Sequence, residues 1–183
     1  MRKRVLPATT ILLIKKIVSE NVDDLMLHTV HYGFSQSFDV SARKAYEWCT
    51  DYGPGDMALM QEENATREVH HISDDVILLN DTYTVEGKTT VKQKLVCLYP
   101  DRLTWTSTHL TGPNTHSQYI YELVPQNDRQ CCLNFTGLYL DQSIKEDTEK
   151  KNVERLSREL KNMDSENWKL LANEMEKELK KHK

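Results

Sequence analysis

From Val30 to Val40 apolar and polar residues alternate. Val30, Tyr32, Phe34, Phe38 and Val40 share one parity, and His31, Gly33, Ser35, Ser37 and Asp39 the other. Successive side chains of a strand point to opposite faces, so the pattern predicts a half-buried strand, broken on its apolar side by Gln36. Ser41 is placed to cap a short helix over Ala42–Tyr52, which Gly53-Pro54-Gly55 stops; a second short helix is expected over Asp56–Met60. Five strand-like runs follow as hairpins: Thr66–Ile72, Val76–Glu86, Thr89–Tyr99, Arg102–Thr111 and Thr115–Val124. Turn residues separate them at Ser73-Asp74-Asp75, Gly87-Lys88, Pro100-Asp101 and Gly112-Pro113-Asn114, and a last strand is expected over Arg129–Leu140.

Beyond that strand the period changes. From Ser143 to Lys183 there is no Gly and no Pro, and Ser143-Ile144-Lys145-Glu146 fits a capping box. Val153, Leu156, Leu160, Met163, Leu170, Leu171, Met175 and Leu179 form an apolar stripe whose direction drifts after Met163, so the helix must curve over the sheet or bend near Asp164-Ser165. A helix of about 37 residues spans roughly 55 Å, whereas an 11-residue strand spans only about 37 Å. The expected architecture is α+β: a curved seven-stranded antiparallel sheet, two short helices and one long C-terminal helix laid across the sheet. A curved sheet cannot touch a straight helix along its whole length, and the gap between them is where a ligand cavity is expected.

If Gly87-Lys88 and Pro100-Asp101 are two-residue turns, Asp81 faces Lys94, Leu79 faces Val96, Val96 faces Trp105 and Leu98 faces Leu103. One face then holds Ile77, Leu79, Asp81, Tyr83, Lys94, Val96, Leu98, Leu103, Trp105, Ser107 and His109. It is the bulkier face and is assigned inward; a slip of one residue inverts the assignment.

Composition narrows the class. With 183 residues, 38% hydrophobic and 28% charged, the chain reads as one globular domain, 28–183, behind an N-terminal extension, 1–27. Five basic and three acidic residues fall in the first 27, so the remainder of a chain at −4 overall stands near −6. A phosphate-backbone binder needs a basic face, so no nucleic-acid partner is expected. Lys15 and Lys16 follow the apolar run Val5–Ile14 and no small-residue cleavage site appears, so residues 1–25 are read as an amphipathic helix able to make peripheral membrane contact rather than as a signal peptide. Cys49, Cys97, Cys131 and Cys132 form no metal-type spacing and are read as reduced thiols of a cytoplasmic protein. No metal and no cofactor is implied.

Local sequence adds a resemblance. Phe38-Asp39-Val40-Ser41-Ala42-Arg43-Lys44-Ala45-Tyr46-Glu47-Trp48-Cys49-Thr50-Asp51-Tyr52 resembles the opening strand and helix of the START-like, polyketide cyclase-like superfamily. Leu98-Tyr99-Pro100-Asp101-Arg102-Leu103-Thr104-Trp105 resembles its P-x-R-L-x-W hairpin, and the Tyr119–Pro125 run its sixth strand. The likeness covers about Thr29 to Lys181. It implies the helix-grip fold and an internal cavity for an apolar or amphipathic small molecule: a lipid, quinone or polyketide-like ligand. These are scaffold motifs, and they speak to fold rather than to activity.

Three functional readings follow. In the first, the chain, as a monomer or dimer, binds or carries an apolar ligand in the cavity. Tyr32, Phe34, Gln36, Tyr83, Trp105, His109, Tyr121, Leu156 and Leu160 are the expected contacts, with Gln36, Tyr83 and His109 orienting the ligand. In the second, a cyclase or dehydratase uses the same cavity with His109 and Asp81 as acid and base. In the third, the core is filled, and the chain is a protein-interaction module of the chaperone-stimulating type.

Overall fold

The computed structural model describes residues 28–53, 55–59, 65–85, 87–112, 114–141 and 149–181. The expected N-terminal helix, Met60 and the capping box at Ser143–Glu146 lie outside them. The chain runs β1 (His28–Phe38), α1 (Ala42–Cys49), α2 (Asp56–Leu59), β2 (Ala65–Ser73), β3 (Val76–Val85), β4 (Lys88–Tyr99), β5 (Thr104–His109), β6 (Gln118–Asn127), β7 (Gln130–Asp141) and α3 (Glu149–Lys181). One antiparallel sheet holds all seven strands in the order β1-β7-β6-β5-β4-β3-β2. Consecutive hairpins build β2 to β7, and β1 closes against β7, with Phe34 opposite Phe135.

Both hairpin registers differ from the expected ones by two residues. Val85 pairs with Lys88, so Asp81 faces Lys92, Leu79 faces Lys94 and Ile77 faces Val96. Gly87, immediately before Lys88, takes the left-handed backbone, φ 76°. Between β4 and β5 the connection is a 3₁₀ turn, Pro100–Arg102, followed by Leu103 at φ 51°, so Leu98 faces Trp105. A slip of two keeps every side chain on its face. The inward assignment therefore holds: Ile77, Leu79, Asp81, Val96, Trp105, Ser107 and His109 are all buried.

α1 ends at Cys49, three residues short of the expected Tyr52. Thr50 Oγ1 donates back to the Tyr46 carbonyl at 2.7 Å, and Tyr52 takes a left-handed φ of 49°. Ser41 occupies the N-cap position with extended backbone, but its hydroxyl makes no capping bond. α3 runs unbroken through Asp164-Ser165. Its apolar stripe serves two separate clusters. Val153, Leu156 and Leu160 pack with Val30, Tyr32, Tyr119 and Phe135. Trp168, Ala172, Met175 and Leu179 pack with Phe38, Tyr46, Ile77, Val96, Trp105 and Leu133. The drift of the stripe after Met163 is the passage from one cluster to the other.

Candidate ligand-binding site

Between the two clusters the inner face of the sheet and α3 leave a cavity of about 450 Å³. Leu160, Met163, Asp164, Asn167, Trp168 and Leu171 line it from α3 at spacings of three and four, one face of the helix. Met163, although 55% exposed, stands at its rim. Pockets of this size fall in the range of roughly 300–1,000 Å³ that holds small organic ligands.

One wall is aromatic. Trp105 and Tyr121 stack with ring centroids 4.9 Å apart and planes 4° from parallel. Trp168 packs on both, at 6.3 and 5.7 Å, and Phe135 meets Tyr121 edge-on at 5.2 Å. All three tryptophans of the chain, Trp48, Trp105 and Trp168, line the cavity.

A second part of the lining, contributed by β2 and β4, is charged. Asp81 is fully buried, and both its oxygens are taken. Arg67 donates from Nε at 2.6 Å and from Nη2 at 3.0 Å, while Lys94 Nζ donates at 2.6 Å. Arg67 reaches on to Asp56 at 3.3 Å. Burial works against the Asp81 charge, but the Arg67 hydrogen bonds and the two cations outweigh it and hold the carboxyl below its ordinary value. Burial pulls Lys94 down and lifts Asp56 to about 6. Lys94 meets Asp81 diagonally, since its direct cross-strand neighbour is Leu79. The sequence-based pair thus forms despite the shifted register.

His109 and Asn114, both buried, also line the cavity, and the His109 ring lies 4.9 Å from Tyr119. Burial, with Lys94 nearby, lowers His109 to about 4, so the ring is neutral at neutral pH. Asn114 Nδ2 donates to Tyr119 Oη at 3.2 Å. Near the middle of α3, Tyr32 Oη donates to Asp164 at 2.6 Å; burial raises both groups and keeps the tyrosine proton in place. Burial also pushes the Cys49 thiol well up, so it is no thiolate nucleophile. Among the described residues no three His, Cys, Asp or Glu side chains converge as a metal site. No described helix is long and apolar enough to cross a membrane.

Tyr32, Tyr83, Trp105, His109, Tyr121 and Leu160 of the expected contacts line the cavity. Phe34, Gln36 and Leu156 do not. Phe34 stacks on Phe135 at 4.8 Å, Leu156 packs in the β1 cluster, and the Gln36 amide donates to the Ser37 carbonyl. Asp81 stands behind Arg67 and Lys94 rather than at the cavity surface, so the structure does not bring it together with His109 as a free acid–base pair. Met57 is buried and does not line the cavity. Arg67, Asp56, Asn114 and Asp164 were not identified from sequence. The signal for Arg67 is its parity: in β2 it shares the less exposed face with Ala65 and Val69, and it stands directly opposite Asp81.

No family model matches the chain, and no curated protein matches it. Solved structures do. The Zhui aromatase/cyclase from Streptomyces sp. R1128 is similar at 14% identity, over 83% of this chain and 96% of that one, with a TM-score of 0.66. Norcoclaurine synthase from Thalictrum flavum, in complex with dopamine and hydroxybenzaldehyde, is similar at 13% identity, over 100% and 99%, with a TM-score of 0.62. A START superfamily protein from Mycobacterium smegmatis is similar at 12% identity, over 84% and 99%, with a TM-score of 0.57. At such identities the likeness is one of fold, and the fold is the α+β helix grip, a curved seven-stranded antiparallel sheet with a long C-terminal helix.

Proposed function

We propose that the chain binds an amphipathic aromatic small molecule in the sheet–helix cavity. The observation that carries this reading is the cavity itself: about 450 Å³, lined both by stacked rings and by a hydrogen-bonded charge cluster. Burying about 200 Å² of apolar ligand surface at about 25 cal/mol per Å² supplies roughly 5 kcal/mol before the costs of association. The open cavity counts against a filled-core interaction module. The engagement of both Asp81 oxygens counts against a cyclase that uses Asp81 with His109. Among the similar structures, norcoclaurine synthase is in complex with dopamine and hydroxybenzaldehyde, two aromatic molecules, which supports the reading.

Anilinonaphthalene sulfonate, an amphipathic aromatic fluorophore, tests it. The probe is expected to bind saturably and to receive energy from the three cavity tryptophans. Ser107 is buried on the cavity wall, and Ser107→Phe fills the space in front of it. The substitution is expected to weaken the probe at least about tenfold while leaving the unfolding midpoint within the small range of a tolerated core change. Equal binding by both proteins refutes the cavity as the site. Native mass spectrometry of protein taken from its host, before and after denaturing extraction, then gives the class of the natural ligand.

A further inference from the structure

We infer that the outer edge of β2 is a docking surface for a second copy of this chain, the two sheets joining by antiparallel β2–β2 pairing about a twofold axis at Val69. The sheet is open, and its two edges differ. β1 is met by α3: Ser157 Oγ donates to the His31 carbonyl, and just past the strand the Asp39 amide donates to Glu176. β2 pairs with β3 on one side. On its other side no backbone hydrogen bond from another described residue reaches it. Thr66, Glu68 and the run His70–Ser73 are exposed. β2 carries neither Lys nor Pro, which commonly guard such edges, and its bulge falls at its end, between His71 and Ser73. Unpaired N–H and C=O groups along an edge are a template for another strand.

Charge complementarity selects both the occupant and the register. Glu68 and His70 share the face of β2 turned away from Arg67 and the cavity, 72% and 54% exposed and 3.6 Å apart. A twofold axis normal to the sheet relates like faces, so only residues of one parity can stand opposite each other. With the axis at Val69, Glu68 stands opposite the partner's His70, and symmetry makes that pair twice. Imidazole has an N–H to donate to the carboxylate in either protonation state. Val69 faces its own counterpart, and Ile72, 63% exposed, comes beside the partner's Thr66. The neighbouring symmetric registers are worse. One sets Glu68 against Glu68, and like charges directly opposite are destabilising. The other sets His70 against His70 and leaves the Glu68 carboxylate opposite Ile72, with no donor. A second copy brings the matching sequence by symmetry, whereas an unrelated strand would have to supply it.

Sedimentation velocity of the full chain, from micromolar to millimolar concentration, tests the pairing. The weight-average mass is expected to rise with concentration from 21.4 kDa toward twice that value. His70→Glu sets carboxylate against carboxylate at both pairs and is expected to weaken the dimer at least about tenfold. Glu68→His combined with His70→Glu exchanges the two residues, remakes both pairs and should restore the dimer. Both positions are exposed, so the circular dichroism spectrum should be unchanged in each variant and reports that it is folded. Under mild copper oxidation Val69→Cys, whose residue meets its own counterpart, should give a covalent dimer beyond any formed by the parent chain. His71→Cys, standing opposite Arg67, should not. A mass that stays at 21.4 kDa throughout overturns the inference. So does a dimer indifferent to His70→Glu, one that the exchange fails to restore, or a crosslink at position 71 in place of 69.

Discussion

Asp81 carries two cations on one fully buried carboxylate. Removing it leaves Arg67 and Lys94 charged in a low-dielectric wall. Asp81→Ala is expected to cost about 3–5 kcal/mol of unfolding free energy, read from urea titration. Apolar replacement of all three residues together should recover most of that loss, because a buried ion cluster gains little over well-packed apolar side chains. A loss below about 1 kcal/mol for the single variant would show that the cluster is solvated rather than buried. The pair Asp81–Lys94 was legible in the sequence because both residues fall on the inward parity. Arg67 was not, since one inward arginine acquires meaning only when β2 is laid beside β3.

Two of the perturbed groups of the cavity, His109 and Asp56, have opposite effects on stability as pH falls. His109 is held near 4 by burial, against an ordinary 6.5. Between those values the unfolded chain binds a proton that the folded chain refuses, so His109 removes stability as pH drops from about 6.5 to 4. Asp56 is raised by burial to about 6 from 3.8, so the folded carboxyl binds its proton first and adds stability as pH drops from about 6 to 3.8. In the wild-type chain the two largely offset. His109→Gln is therefore expected to gain stability relative to wild type as pH is lowered through 6.5 to 4, and Asp56→Asn to lose it over the lower window. Urea unfolding at four or five pH values checks both signs, and parallel profiles for the three proteins would show that neither group is perturbed.

Among the elements, α3 is the one that shapes the cavity, and side chains from both of its ends and its middle tie it to the rest. Ser157 Oγ donates to the His31 carbonyl, Tyr32 to Asp164, the Asp39 amide to Glu176 and Trp48 Nε1 to Glu178. Tyr32 can lie across β7 because its strand partner there is Gly137, where a Cβ would stand 2.5 Å from the ring. Tyr32→Phe removes only the middle tie. Amide hydrogen exchange is expected to quicken around Asp164 while the segment around Met175, buried in the other cluster, keeps its protection. Uniform quickening along α3 would mean that the helix moves as one body and that the tie has no local role. Element types and order were legible from periodicity alone. The turns were not, because Leu103 adopts a left-handed backbone that its residue type does not announce, and that conformation moved the β4–β5 register by two.

For the molecule as a whole, the sequence implied a cavity through the mismatch of a curved sheet and a straight helix, but not its contents. Phe34 and Gln36 stand on a strand that lines the cavity only through Tyr32, and no alternation pattern tells one inward residue of a strand from the next. The pairing of β1 with β7 has a consequence of a different kind. Ser35 and Asn134 bond across the sheet although 99 residues separate them. At roughly 5–20 residues per second of synthesis, β1 waits at least several seconds for its partner strand to exist. Until then its alternating apolar face has nothing to cover it, and the hairpins β2 to β7 can assemble locally first. A chain beginning after Phe38 would present β7 as an open edge and is expected to self-associate, as a concentration-dependent sedimentation profile would show. A soluble monomer of that shortened chain would mean that the meander folds without β1. With β1 present, then, the first of the described strands to be made is among the last to be paired, and closing the sheet over that long loop is the step expected to set the folding rate.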